Sequence, residues 1–222
     1  MAAVPDDLTR RWERGWSACR GWTRQPEERG ALRVLLGLPG RHRELIALRL
    51  SPELAAEVAA ADEPTWLTVP TDHPTEAART LAEAGLHVRP TREHLMTRPL
   101  ADHPAPLLPP GYHPLVTVTD AAVLRVELRH PDTAATAATT TAAASGQAAL
   151  VDGDAVFDRV ETAPRHRRKG LGSAVMALLS AEAVTRGATR GVLMATPDGH
   201  ALYTALGWST AAEVVIAANE PG

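Results

Sequence analysis

One segment constrains this chain more than any other: Val160-Glu161-Thr162-Ala163-Pro164-Arg165-His166-Arg167-Arg168-Lys169-Gly170-Leu171-Gly172-Ser173. A strand enters it and Pro164 stops that strand. Gly170 and Gly172 remove side chains where the chain turns. A helix leaves it, with Val175, Met176, Leu178 and Leu179 apolar and Ala183 one turn on. The first amides of a helix have no internal partner and carry the positive end of its dipole. Glycine beside those amides lets a phosphate approach the backbone. Arg165, Arg167, Arg168 and Lys169 add cations to the same turn, so the segment reads as a diphosphate cradle built mainly from main-chain donors. The bland alternative is a solvated basic turn with a glycine kink. Two common phosphate motifs fail here: the spacing ends before a third glycine, and no Gly-Lys-Ser/Thr step follows.

The rest of the chain sets the frame. A sequence of 222 residues with 45% apolar and 22% charged side chains can bury a core without disulfide staples. Cys19 stands alone, which excludes a disulfide framework and a cysteine metal site within one chain. No run approaches the roughly 20 apolar residues that span a bilayer. The N-terminus turns acidic at Asp6 and Asp7, unlike a signal peptide, so a cytoplasmic protein without a membrane partner is expected. A net charge of −3 gives no global pull toward nucleic acid. The 23 basic residues are 22 Arg and one Lys, in a chain rich in Ala, Gly and Pro, as in GC-rich bacterial genomes. That bias singles out Lys169.

Periodicity organises the sequence into two parts. Asp6 to about Thr23 reads as a helix, with Leu8, Trp12, Trp16 and Cys19 at helical spacing. Trp12, Trp16 and Trp22 either anchor that helix to a core, which the spacing favours, or line a pocket. The apolar runs 32–36 and 45–48 suit a hairpin, and Ser51-Pro52 caps a helix to about Ala61. Trp66–Val69 is a strand, Asp72–Ala84 a helix ended by Gly85, and Glu93–Leu100 a strand. Residues 1–100 therefore read as a small α/β domain. Residues 101–114 hold five prolines and read as a stiff linker, leaving 115–222 as the second domain. There the period changes to two: Leu124, Val126 and Leu128 alternate with charged residues. The Ala/Thr-rich stretch 133–145 reads as a thin strand between turns at Pro131-Asp132 and Ser145-Gly146. Gln147–Val151 and Ala155–Thr162 are the next strands.

Residues 155–210 resemble the GNAT acetyltransferase superfamily. Its pyrophosphate loop, Arg/Gln-x-x-Gly-x-Gly/Ala, is matched by Arg167-Arg168-Lys169-Gly170-Leu171-Gly172. A helix to Gly187, a strand at Gly191–Ala195 and the segment Ala201-Leu202-Tyr203-Thr204-Ala205-Leu206-Gly207-Trp208 follow in the family's order. The resemblance implies a mixed α/β sheet with the GNAT acyl-CoA N-acyltransferase fold in the C-terminal half. The strand–helix order of residues 31–100 echoes the same fold without a glycine loop, so a degenerate, non-catalytic copy is expected there.

Carried over residue by residue, the resemblance implies that the Val160-Glu161-Thr162 backbone pairs with the pantetheine arm of acetyl-CoA, like an added strand. Amides from Arg168 to Ser173, with Arg167, would hold the diphosphate. The strands around Thr162 and Ala195 would splay apart to admit the thioester. Tyr203, expected early on its helix, would protonate the departing thiolate, its phenol pKa near 10 suiting a thiol; the alternative is a packed tyrosine with a satisfied hydroxyl. The family often places a Glu base at the position of Val156, which cannot serve. Asp158 shares its strand face and is the chosen base, with a surface carboxylate or a partner of Arg159 as the alternative. Glu161 falls on the opposite face unless a bulge intervenes. Thr196 stands where the family often has Asn, and His200 lies three residues before Tyr203.

The resulting expectation is an N-acetyltransferase with acetyl-CoA as co-substrate and a small-molecule or peptide amine as acceptor, attacked directly. The alternative is an acyl-CoA-binding sensor or partner module without catalysis. No metal, no nucleic acid and a monomer or homodimer are expected; the nine His make no ligand spacing with carboxylates or Cys.

Overall fold

The structure is a computed structural model describing residues 6–119, 122–131, 135–136, 139–140 and 142–220. Its elements run α1 (Asp6–Arg20), β1 (Thr23–Glu28), β2 (Ala31–Leu38), β3 (Arg41–Ala47), α2 (Pro52–Ala59), β4 (Thr65–Thr71), α3 (Pro74–Glu83), β5 (His87–Val88), β6 (Glu93–Pro99), β7 (His113–Val118), β8 (Val123–Arg129), β9 (Ala135–Thr136), β10 (Thr139–Thr140), β11 (Ala144–Val151), β12 (Asp154–Thr162), α4 (Leu171–Thr185), β13 (Arg190–Ala195), α5 (Pro197–Ala205) and β14 (Ser209–Ala218). The chain divides into two units. One holds Met1–Met96, Met194–His200 and Thr210–Gly222; the other holds Thr97–Leu193 and Ala201–Ser209.

In the first unit, α1 buries Leu8, Trp12 and Trp16 on one side. The Trp12 and Trp16 rings stack at 5.2 Å, and Trp22 meets Trp16 edge-on at 4.4 Å, so the tryptophans anchor the helix. Strands β1, β2 and β3 are antiparallel neighbours. The polar β1 (Thr-Arg-Gln-Pro-Glu-Glu) is exposed throughout and carries no hydrophobic signal. Ser51 has extended backbone and its hydroxyl accepts from the Leu54 amide at 3.2 Å, starting α2 as its sequence dictates. Because α2 crosses over, β4 runs parallel to β3, from Arg43↔Thr65 to Ile46↔Thr68. β14 then pairs antiparallel with β4, from Glu213↔Thr71 to Ala218↔Trp66. Leu45, Leu54, Val58, Leu67, Leu81 and Val215 close a core between this sheet and the helices. Asn219 clamps the end of β14: it accepts from the Thr65 amide at 2.8 Å and donates to Ala61 O at 2.9 Å and Glu63 O at 3.0 Å.

In the second unit, β7, β8, β11 and β12 form an antiparallel series, and β13 joins β12 in parallel through α4. Leu124, Val126 and Leu128 are fully buried while Arg125 and Arg129 are exposed, as alternation requires. At the ends of these strands the Thr119 amide bonds to Val123 O at 3.0 Å and the Ala122 amide to Thr119 O at 2.9 Å.

Two local expectations change. Ser145-Gly146 is not a turn, because β11 runs through it from Ala144. A Cβ on Gly146 would meet Val175 Cγ1 at 2.7 Å, so glycine is there for the close approach of α4. Of the expected strand at 133–145, β9 and β10 pair antiparallel with each other; residues 133–134, 137–138 and 141 lie outside the described residues.

Candidate active site

β12 carries the chain into a 3-10 turn at Pro164–His166, and α4 begins at Leu171. Between them Arg168 has φ +62° and Gly170 φ +75°. Glycine adopts this left-handed conformation freely; for arginine it costs about 1 kcal/mol, a strain found where surroundings impose it. Turns with left-handed residues of this kind are where backbone amides can form an anion-binding nest. The Arg167 amide is engaged by Pro164 O at 3.3 Å, so Arg167 offers its side chain instead. Among the described residues, no protein atom accepts from the amides of Arg168, Lys169, Gly170, Leu171, Gly172 or Ser173, and no side chain caps α4. The start of a 15-residue helix is thus open.

The second glycine, Gly172, lies within the first turn of α4 and has a packing role. A Cβ on Gly172 would stand 3.1 Å from Leu202 Cδ2, so Gly172 admits the α5 residue next to Tyr203. Tyr203 itself lies in the last turn of α5, not early on it, and is 8% exposed. Its ring tilts against Trp208 at 6.1 Å, and Trp208 meets Phe157 edge-on at 5.3 Å. Burial first, and then the Asp158 carboxylate, push the Tyr203 hydroxyl up to about 12.

Asp158 owes its position to a bulge. Gln147 is registered with Asp158 and Ser145 with Glu161, so Arg159 and Val160 together oppose Gly146. Arg159 takes φ +52° to make the bulge. The consequence is that Asp158 and Glu161 share one face, although their spacing alone puts them on opposite faces. Val160 belongs to the other face, its Cγ2 lying 3.2 Å from where a Gly146 Cβ would be, beside Val175 and Leu179. Gln147, which periodicity did not single out, donates from Nε2 to Asp158 Oδ2 at 3.5 Å. The parallel register of β12 with β13 runs from Asp154↔Arg190 to Phe157↔Leu193, and β12 then continues to Thr162. The Thr162 carbonyl accepts from Arg167 Nε at 3.3 Å. Arg165, Arg167, Arg168, Lys169 and Gly170 are exposed, whereas Leu171 is buried and Ser173 half-buried.

In the first unit, Thr196 Oγ1 accepts from the Gly199 amide at 3.2 Å, so this hydroxyl caps α5. The His200 ring stacks on His94 at 4.1 Å and its Nε2 lies 3.2 Å from Thr210 Oγ1. Burial, and then the proximity of His200, hold His94 below the ordinary histidine range.

Residues 117–208 match the model of the Acetyltransferase (GNAT) family. Over this stretch the chain is similar to GNAT acetyltransferases. No curated protein matches the chain significantly. Among solved structures, a GCN5-related N-acetyltransferase from Kribbella flavida has a TM-score of 0.70 at 18% identity, covering 100% of this chain and 98% of that one. A GCN5-related N-acetyltransferase from Sphaerobacter thermophilus has a TM-score of 0.62 at 14% identity, covering 87% and 78%. A tandem GNAT protein from the clavulanic acid biosynthesis pathway has 0.56 at 16%, covering 86% and 79%. The family match supports acyl transfer from acyl-CoA. α4 follows the glycine loop as the motif's order has it, whereas Tyr203 sits later on α5 than expected. No helix among the described residues is long and apolar enough to cross a membrane. Nor do the described residues group three or more His, Cys, Asp or Glu side chains around a metal position.

Proposed function

We propose that the chain is an N-acetyltransferase that moves the acetyl group of acetyl-CoA to a primary amine by direct attack. The observation that carries this is the set of amides from Arg168 to Ser173 at the head of α4, for which no acceptor is found among the described residues, beside the positive φ of Arg168 and Gly170. A diphosphate is the anion such a set suits. The β12 backbone beyond Phe157, at Val160, Glu161 and Thr162, would pair with the pantetheine arm.

In the reaction the amine nitrogen attacks the thioester carbonyl carbon, a C–N bond forms and the C–S bond breaks. Asp158 takes the proton lost by the amine, directly or through water, and Tyr203 supplies a proton to the departing sulfur. With its hydroxyl near 12, Tyr203 is a weaker acid than a free phenol. Each unit of that difference costs about 1.4 kcal/mol in proton transfer to a thiolate. Asp158 supplies part of the elevation. Once Asp158 is protonated that part vanishes, so Tyr203 becomes more acidic as the sulfur leaves. Base and acid are thereby coupled through one carboxylate. Bringing both reactants together supplies much of the remaining rate.

Residues 1–100 are proposed to be a degenerate copy of the same fold. The order β3, α2, β4, α3, with β4 parallel to β3, matches the order β12, α4, β13, α5. In the first unit, however, the helix start is closed. Pro52 has no amide, and Ser51 takes the amide of Leu54. That copy offers no diphosphate site.

Steady-state acetyl transfer tests the proposal: Tyr203→Phe lowers kcat by about 10²-fold with the KM for acetyl-CoA unchanged. Val156, fully buried where the family often has a base, favours the second reading, a non-catalytic acyl-CoA-binding module. Coenzyme A binding without thiol release across a panel of amines would support that reading instead.

A further inference from the structure

We propose that Tyr112 is a positioning residue that clamps the diphosphate loop and sets Lys169 as its fixed cation; this rests on the diphosphate reading above. Tyr112 comes from the segment before β7 and is 7% exposed. Its hydroxyl lies 2.8 Å from Nδ1 of His166, itself 3% exposed. Lys169 Nζ donates to the same hydroxyl oxygen at 3.3 Å and stands 5.9 Å from the centre of the Tyr112 ring.

The direction of each bond follows from chemistry. An ammonium has donors and no acceptor, so the phenol oxygen accepts from Lys169. The phenol hydrogen is then directed at His166 Nδ1, which makes His166 the Nε2–H tautomer. One hydroxyl thus ties two loop residues three positions apart, and Arg168, with its positive φ, lies between them. Strained backbone persists where its surroundings over-determine it. Here the clamp acts from both sides, with the His166 amide bonded to Ala163 O at 2.8 Å below. His130 backs the clamp, its ring 4.7 Å from Tyr112 and 5.6 Å from His166.

The same geometry accounts for the single lysine in a chain that otherwise uses arginine. A compact ammonium with rotatable donors can reach one phenol oxygen and still present N–H groups to an anion. A planar guanidinium fork suits a two-oxygen acceptor instead.

Calorimetric binding of coenzyme A, and of pantetheine, to the full chain tests this. Tyr112→Phe keeps the ring and removes both hydrogen bonds. It weakens coenzyme A binding by about tenfold and leaves pantetheine, which lacks the diphosphate, within about twofold. Lys169→Met gives a similar loss, and the double variant is no weaker than about twice either single one, because both remove one coupled contact. Lys169→Arg does not restore binding. His166→Leu, which removes the acceptor, gives the loss of Tyr112→Phe and serves if that variant does not fold. Unchanged coenzyme A affinity in Tyr112→Phe, or losses that multiply, overturns the clamp. Wild-type protein that binds coenzyme A no better than pantetheine overturns the diphosphate reading beneath it.

Discussion

Gly146 lies directly beneath Val175: a methyl group on Gly146 would come within 2.7 Å of Val175 Cγ1 and 3.2 Å of Leu179 Cδ1. Val175 and Leu179 are fully buried, so neither has room to withdraw. Gly146→Ala therefore pushes α4 away from the sheet at the point where Arg159 and Val160 bulge. The expected cost is about 1–3 kcal/mol of stability, read as a lower denaturant midpoint at unchanged slope. Gly153→Ala is the comparison, since its Cβ would meet nothing within 4 Å although its φ of +81° carries backbone strain.

Tyr203 and Asp158 make a spectroscopic prediction. The chain has two tyrosines, so tyrosinate absorbance can be followed group by group with Tyr112→Phe as reference. Tyr203 ionises near 12, and Asp158→Asn lowers that value because a charge that raises it is gone. Burial remains, so the hydroxyl stays above the ordinary phenol range. An unchanged Tyr203 titration in Asp158→Asn would break the proposed coupling of base to acid.

The same elevation has a stability consequence with a definite sign. The unfolded phenol ionises near 10 and the folded one near 12, so above pH 10 the native state holds more protons than the unfolded state. Stability from this group is complete below pH 10 and declines as pH rises toward 12. Between pH 9 and pH 11 the wild type loses about 1 kcal/mol more than Tyr203→Phe. Paired thermal melts across that range check it.

Asn219 ties the residues after β14 to those between α2 and the start of β4. Its side chain bonds the Thr65 amide and the carbonyls of Ala61 and Glu63. Asn219→Ala leaves these backbone groups without that partner and costs about 1–3 kcal/mol. A fragment of residues 101–222 suffers more, since it separates β14 from β4, its partner over Glu213↔Thr71 to Ala218↔Trp66. Aggregation of that fragment in size-exclusion chromatography is the expected result.

Much of this architecture is legible from local signals. The Ser51 cap, the tryptophans of α1 and the alternation at 124–128 each act through neighbours in sequence, so their spacing reveals them. The glycine loop is legible because open amides need glycine there. What escapes depends on distant partners or on polar surfaces. β1 is an exposed edge strand whose charges and Pro26 carry no burial period. The bulge at Arg159 breaks a period of two, and nothing in arginine announces a positive φ; it is why Glu161 joins the face of Asp158. Tyr112 and His166 are 54 residues apart, and either alone is an ordinary aromatic residue. Tyr203 falls in the last turn of α5, rather than early on it, because the helix already opens at Pro197, where proline serves as a first helical residue.

Titration calorimetry of the full chain with coenzyme A, beside pantetheine and inorganic pyrophosphate, tests the central claim most directly. Open amides from Arg168 to Ser173 predict that coenzyme A binds more tightly than pantetheine and that pyrophosphate competes with it. Equal heats for coenzyme A and pantetheine, or no binding of either, would contradict the account.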